Sequence, residues 1–569
     1  MKIRAGVSML TGVLMLLAAQ PASALPIPSY TPTLLSPATQ ASSFVGSNIR
    51  IAGDLNHDGV NDVIVPYPRA SVGDMAAAGH VFVFSGRTRA PLLSLDDPQP
   101  QARARFGASA FGIGDVNGDG VPDIAVGAPG QDVGGNAAQG RVYVFSGKDG
   151  HLLYTVDDPV PQAKASFGTG FGTGTGDLNG DRVPDFVEVA TGQGPCAPAP
   201  NSFKCVGAAY AFSGKDGHLL YTMPNPSGQP GFYGQGTSDP GDVTGDGVDD
   251  ILIGDSGALV DGNANQGRAY LFDGRNGRLL RIFDDPHPQA NAFFGDVHGE
   301  RGAPGDLDHD GVPDIYVDAD GQNAPTVPSA GQAYVFSGKT GALVRTISSP
   351  LPQTNGFFGY YFSQAADLNG DGTPDLLIGQ TGTPDQKALG GAWVFDGRTG
   401  GVLAGFARPQ DQNAGQSVAF AGDINGDGRP DYFLGSPYLT VAGNVNVGGL
   451  VTEISSAPRV RPRLVDRVTP RRARRLPLRL RVSGRVLAPS GLLSPCSGGE
   501  VTVRVAVRRR TLASRRVAVS SDCSYRVVFA VRRPRGARRL AVFVDFAGNR
   551  VLLPARGRTR AVFLSRRRR

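Results

Sequence analysis

Apolar positions along this chain come in short bursts and not at helical spacing. From Phe106 an alternating stretch runs up to an acidic, glycine-bearing loop at Asp115, and Asp123 to Gly127 leaves that loop as an apolar run. Arg141 to Phe145 and Leu152 to Val156 are two further bursts, separated by Ser146-Gly147-Lys148-Asp149-Gly150, whose glycines suit a tight hairpin. Runs of this length, bounded by Gly, Pro and Asp, predict strands, here four antiparallel ones per unit.

The unit recurs. Acidic cores begin at Asp54, Asp115, Asp177, Asp242, Asp306, Asp367 and Asp423, at intervals of 61, 62, 65, 64, 61 and 56 residues. Seven four-stranded units at a fixed period predict an all-β fold, a seven-bladed β-propeller, in which radial repetition leaves only short, protected strand edges. The seventh unit ends at Leu450 to Ile454, which matches the third strand, and no fourth follows. Ser29 to Leu35, ahead of the first unit, is expected to supply it and lock the ring, so the propeller is placed at residues 25–455. A Pro- and Arg-rich linker is expected at 456–475. From 476 to 569 the pattern stays β, with Val501, Val503, Val505 and Val507 alternating, and predicts a small Ig-like β-sandwich.

Composition refines this picture. Gly and Pro number 80 and 43 of 569 residues, which fits a packed chain rich in turns and excludes a helical bundle or coiled coil. The net charge of +6 hides a division: residues 455–569 hold 31 Arg, no Lys and four acids, or +27, so residues 1–454 carry −21. Such asymmetry predicts two modules with different partners.

Lys2 and Arg4, the apolar run Val7 to Ala19, and Ala22-Ser23-Ala24 have the order of a cleaved signal peptide, placed at residues 1–24. The protein is then secreted or held at the cell surface, with no transmembrane segment after cleavage. Four cysteines in an exported chain are expected as two disulfides, Cys196 with Cys205 and Cys496 with Cys523.

The acidic loops carry the chemistry. Positions 1, 3, 5 and 9 bear side-chain oxygens: Asp54, Asn56, Asp58 and Asp62; Asp115, Asn117, Asp119 and Asp123; Asp177, Asn179, Asp181 and Asp185; Asp242, Thr244, Asp246 and Asp250. The last three loops continue with Asp306, Asp308, Asp310 and Asp314; Asp367, Asn369, Asp371 and Asp375; Asp423, Asn425, Asp427 and Asp431. A short loop that turns alternate oxygens inward wraps a hard cation, and six or seven oxygens at about 2.4 Å suit Ca²⁺, giving up to seven sites. An EF-hand would need a Glu at position 12 and flanking helices; here that position is apolar in six loops, Glu188 being the exception. The alternative is metal-free Asp/Asn turns. Against it stand 22 carboxylates at ligand positions, which repel one another without counter-ions. The Asp306 loop, with four carboxylates, is expected to bind most tightly. The Asp177 loop, with Arg182 where the others have Gly, is expected to bind least tightly.

Phe106-Gly107 with Gly127-Ala128-Pro129, Phe167-Gly168, Phe294-Gly295, Phe358-Gly359 and the seven loops together resemble the FG-GAP proteins, the seven-bladed propeller family of integrin α-subunits with many bacterial surface relatives. The resemblance covers about 430 of the 569 residues. It is interrupted at Phe44-Val45-Gly46, Phe232-Tyr233-Gly234 and Gly415-Gln416-Ser417. It implies calcium binding and a scaffold for adhesion, with an extracellular glycan or protein as ligand.

For the Arg-rich module two readings stay open: a surface for acidic envelope polymers or other polyanions, or a solvated sheet face. Specific nucleic acid binding is not expected of an exported chain. No enzyme is expected either. His57 and His309 fall at position 4 of their loops, His151 and His218 recur in one hairpin phrase, and His80, His287 and His298 have no nucleophile motif beside them. Trp393 aligns with Tyr143, Tyr210, Tyr270 and Tyr334, a packing column. The alternative is a calcium-dependent polysaccharide lyase on a propeller.

Overall fold

The computed structural model describes residues 30–33, 48–170, 172–198, 204–296, 304–364, 367–369, 371–382, 390–408, 415–424, 431–436, 450–454, 463–470, 472–473, 478–487, 499–508, 510–520, 523–532, 537–547, 555–557 and 559–564. Every named element among them is a β-strand, and none is a helix long and apolar enough to cross a membrane. The expected signal peptide lies outside the described residues.

Among the described residues seven antiparallel sheets form the propeller, six of consecutive strands and one that takes its outer strand from the N-terminal end of the array. The second blade is typical, with strands Ser109–Gly114, Asp123–Ala128, Arg141–Phe145 and Leu152–Asp157 in that order. Its second strand is buried throughout and its fourth is largely exposed, so burial falls from the second strand to the outer edge of the blade. The fifth blade shows Ile315–Ala319, Gln332–Phe336 and Leu343–Ser348. In the seventh blade Tyr30–Thr33 pairs antiparallel with Leu450–Ile454, with Tyr30 opposite Ile454 and Thr33 opposite Val451. The N-terminal strand therefore closes the ring, as the missing fourth strand implied.

Closure also shows in the core. Seven hydrophobic clusters each bridge two neighbouring blades, for example Ile64 and Val81 with Ile124 and Tyr143. The last of them joins Ile49 and Val63 of the first blade to Ala419 and Phe433 of the seventh. Apolar burial is the main stabilising term, so the ring is held at blade–blade seams. The Phe of each Phe-Gly pair packs on third-strand aromatics of its own blade: Phe106 on Tyr143 and Phe145, and Phe358 on Trp393 and Phe395. The following Gly107 has φ +90°, and a Cβ there would come within 2.7 Å of Val81 in the preceding blade. Only glycine suits both the backbone and the seam.

The C-terminal strands form two sheets around one core. Arg463–Thr469, Leu478–Leu487 and Ser524–Val531 make the first. The second is built on Glu500–Val507, Arg510–Ala518, Arg539–Phe546 and Arg560–Leu564. Leu480, Val482 and Phe529 meet Val503, Val542 and Val562 between the sheets, which is a β-sandwich. One expectation is corrected. The segment placed as a linker, 456–475, contributes the strand Arg463–Thr469, paired along Leu478–Leu487. Leu464, Asp466 and Val468 alternate inward with Arg463, Val465 and Arg467 outward, a period-two pattern obscured by the arginines and prolines around it.

Candidate metal loops

Each acidic loop leads into the second strand of its blade and is braced by its own side chains. Asp62, Asp123, Asp185, Asp250, Asp314, Asp375 and Asp431, at position 9, are all buried. One oxygen of each accepts the backbone N–H of position 2, at 2.8 Å for Leu55, 2.9 Å for Val116 and 2.7 Å for Leu368. In the first six blades the other oxygen accepts the N–H of a glycine in the hairpin between the third and fourth strands: Gly86, Gly147, Gly214, Gly274, Gly338 and Gly397. Burial pushes the carboxyls of Asp185, Asp250, Asp314 and Asp375 up to about 6, and those of Asp62 and Asp123 upward as well. A cation beside such a group acts in the opposite direction and favours the charged form.

The remaining positions turn inward. In the second loop Asp115 takes the N–H groups of Gly118, Asp119 and Gly120, Asn117 takes that of Asp119, and Asp119 that of Val121. In the fourth loop Thr244 instead donates its hydroxyl to Asp242 at 3.4 Å. Position 6 has positive φ: +82° at Gly59, +87° at Gly120 and +88° at Gly311. Arg182 occupies the same position in the third loop at φ +70°, so the backbone there demands what a side chain disfavours.

The expected ligands do not all converge equally. Among the described residues, Asp306, Asp308 and Asp314 bring three carboxylate oxygens within 4.8 Å of one another, and no other acidic or histidine set of three does so. Asp310 instead accepts from Ser337 Oγ at 3.2 Å. Asn425 and Asp427 lie outside the described residues, while Asp423 and Asp431 flank them. The donor set is all oxygen, carboxylate with amide or hydroxyl, which is the chemistry a hard cation prefers.

In the first six blades the hairpin between the third and fourth strands faces the acidic loop, a proximity the sequence alone did not show. Arg87, Arg275 and Arg398 reach across to Asp58, Asp246 and Asp371 at 3.4, 3.1 and 3.3 Å, and Lys339 Nζ donates to the Asp310 carbonyl at 3.0 Å. These cations offset part of the carboxylate repulsion, so repulsion alone is a weaker argument for metal than the sequence implied. In the sixth blade Asp396 accepts from Asn369 at 2.7 Å, and Asp273 takes the corresponding place in the fourth. The signal was a recurring Ser-Gly or Asp-Gly followed by Lys or Arg, as at Ser146-Gly147-Lys148 and Asp396-Gly397-Arg398.

Cys196 and Cys205 are disulfide-bonded; Cys523 is disulfide-bonded as well, and its expected partner Cys496 lies outside the described residues, as does His298. His80 meets Asp96 at 2.7 Å and His287 meets the Tyr334 hydroxyl at 3.2 Å. Trp393 is buried in the seam between the fifth and sixth blades, so it packs and offers no exposed stacking surface.

Comparison with protein families matches the FG-GAP repeat at residues 107–145 and the FG-GAP-like repeat at residues 367–434. Two stretches of the chain are thus similar to FG-GAP repeats. The chain is similar to integrin α-3 of Mus musculus, 38% identical over 120 residues, covering 20% of this chain and 10% of that protein. Integrin α-PS5 of Drosophila melanogaster is 32% identical over 170 residues, covering 27% and 15%. Phosphatidylinositol-glycan-specific phospholipase D of Bos taurus is 33% identical over 169 residues, covering 28% and 20%. The chain spans a tenth to a fifth of the length of these relatives.

Proposed function

We propose that this FG-GAP propeller is an exported, calcium-binding, non-catalytic scaffold for adhesion, displaying its blade-connecting loops to an extracellular glycan or protein. The observation that carries the reading is the convergence of Asp306, Asp308 and Asp314, within a loop architecture repeated around the ring. The residues that would hold calcium are those at positions 1, 3, 5 and 9, and the ion would supply fixed positive charge at the loop tips. Loops on a rigid scaffold are where binding residues concentrate. The convergence supports the Asp306 site as the tightest, since more ligand charge raises affinity.

A glycan and extracellular-protein array, probed with and without calcium, tests this reading. Calcium-dependent retention on a defined ligand is expected. One similar protein is by name a phospholipase, so release of product from an arrayed uronic acid polymer or glycosylphosphatidylinositol is measured alongside. Turnover of either would replace the adhesion reading with an enzymatic one.

A further inference from the structure

The outer face of the three-stranded sheet carries Arg463, Arg467, Arg479, Arg481, Arg485 and Arg526, all exposed. Alternation puts them there, because the intervening side chains fill the sandwich core. Cross-strand register sets Arg467 and Arg526 on either side of Ser483, and Arg481 opposite Val528. The one acid in these strands, Asp466, points inward and is held by Arg560 at 2.9 Å. Among the described residues this face therefore has cations and no acidic side chain. The second sheet differs, since Asp545 there lies 3.2 Å from Arg504 and 3.6 Å from Arg556.

The chemistry of the face selects its partner. Residues two apart on a strand lie about 6.6 Å apart and neighbouring strands about 4.8 Å, so the guanidinium groups form a lattice at the spacing of successive charges on a linear polyelectrolyte. The module has 31 arginines and no lysine from residue 455 onward, and the planar fork of Arg grips phosphate bidentately where Lys offers a point charge. Between the arginines stand only small or aliphatic groups such as Val465 and Val528, 41% and 43% exposed. Among the described residues no aromatic ring is exposed on the face to stack on a nucleobase or to anchor in a lipid interface. A shallow depression of about 430 Å³ is lined by Ser483 and Gly484 with Arg467, Arg485 and Arg526, and the buried Asp466 and Tyr525 also border it.

We propose that this sheet face binds a linear, base-free polymer bearing a phosphate on each repeat. The interaction needs no calcium, so its test is run on the full chain in chelator, and its outcome is independent of the propeller loops. Long-chain inorganic polyphosphate is the probe, with a single-stranded oligothymidylate and phosphatidylglycerol vesicles as competitors. The triple variant R467S/R481S/R526S is compared with R510S/R515S/R516S, which removes the same charge from the edge strand of the second sheet. The first should weaken polyphosphate binding about tenfold and lower the slope of log K against log salt by about 2, from three lost phosphate contacts; the second should change affinity less than about twofold, with its slope retained. Equal losses in the two variants would make the effect one of net charge and overturn the assignment. Tighter binding of the oligonucleotide or vesicles, with the same dependence on Arg467, Arg481 and Arg526, would overturn the polymer as partner.

Discussion

Asp123 Oδ1 accepts the backbone N–H of Gly147 at 3.0 Å while its Oδ2 accepts that of Val116 at 2.9 Å. One buried carboxylate thus ties the acidic loop to the hairpin of the same blade. Asp123→Ala leaves the buried N–H groups of Gly147 and Val116, and the part-buried one of Asn117, without this acceptor, and each buried unsatisfied group costs about 1–3 kcal/mol. The variant should lose about 2–5 kcal/mol of stability, and Asp123→Asn, which keeps one acceptor oxygen, should lose less. These bonds involve no metal, so the loss should persist in chelator. A denaturation midpoint for Asp123→Ala equal to that of the parent in chelator would contradict this structural role.

Arg182 sits at φ +70° where the other described loops place glycine. Arg182→Gly should therefore stabilise the chain by up to about 1 kcal/mol in the absence of calcium, and should also tighten the third loop for calcium by removing a positive charge. Melting in chelator reads the first effect and calcium titration the second. A lower melting temperature for the variant in chelator argues against the strain.

Glu188 is fully buried in the third blade, with Ser109 Oγ donating to its Oε2 at 3.3 Å. Burial raises its pKa to about 8. The folded protein therefore holds it protonated while the unfolded chain ionises it, so its contribution is fully present below about pH 4.5 and declines until about pH 8. Glu188→Gln should flatten the pH dependence of stability across that window and gain about 3 kcal/mol at pH 7, at 1.36 kcal/mol per unit. Parallel stability–pH curves for parent and variant would show that Glu188 stays ionised in the fold.

Much of this was legible in the sequence because it was periodic. The acidic cores set the blades, Leu450 to Ile454 without a following strand announced closure by Tyr30–Thr33, and glycine at position 6 announced the positive φ that Arg182 must adopt. What stayed hidden depended on distance. Nothing local in Asp123 shows that it meets Gly147, and the arginine of Asp396-Gly397-Arg398 reads as a solvated turn until the fold sets it beside Asp371. The strand Arg463–Thr469 was obscured differently, by a composition that reads as linker although Leu464, Asp466 and Val468 alternate beneath it.

Calcium bound by the acidic loops should make the propeller more stable. Thermal melting of the whole protein in chelator, in millimolar calcium and in millimolar magnesium tests it most directly, since a ligand that binds only the folded state raises the melting temperature by mass action. Extracellular sites of this kind bind at about 10⁻⁴ to 10⁻³ M. Calcium should raise the melting temperature well beyond magnesium at equal ionic strength, and Asp306→Asn with Asp308→Asn should remove a larger share of that rise than the same changes at Asp177 and Asp181. A melting curve that is the same in chelator and in calcium would contradict the account.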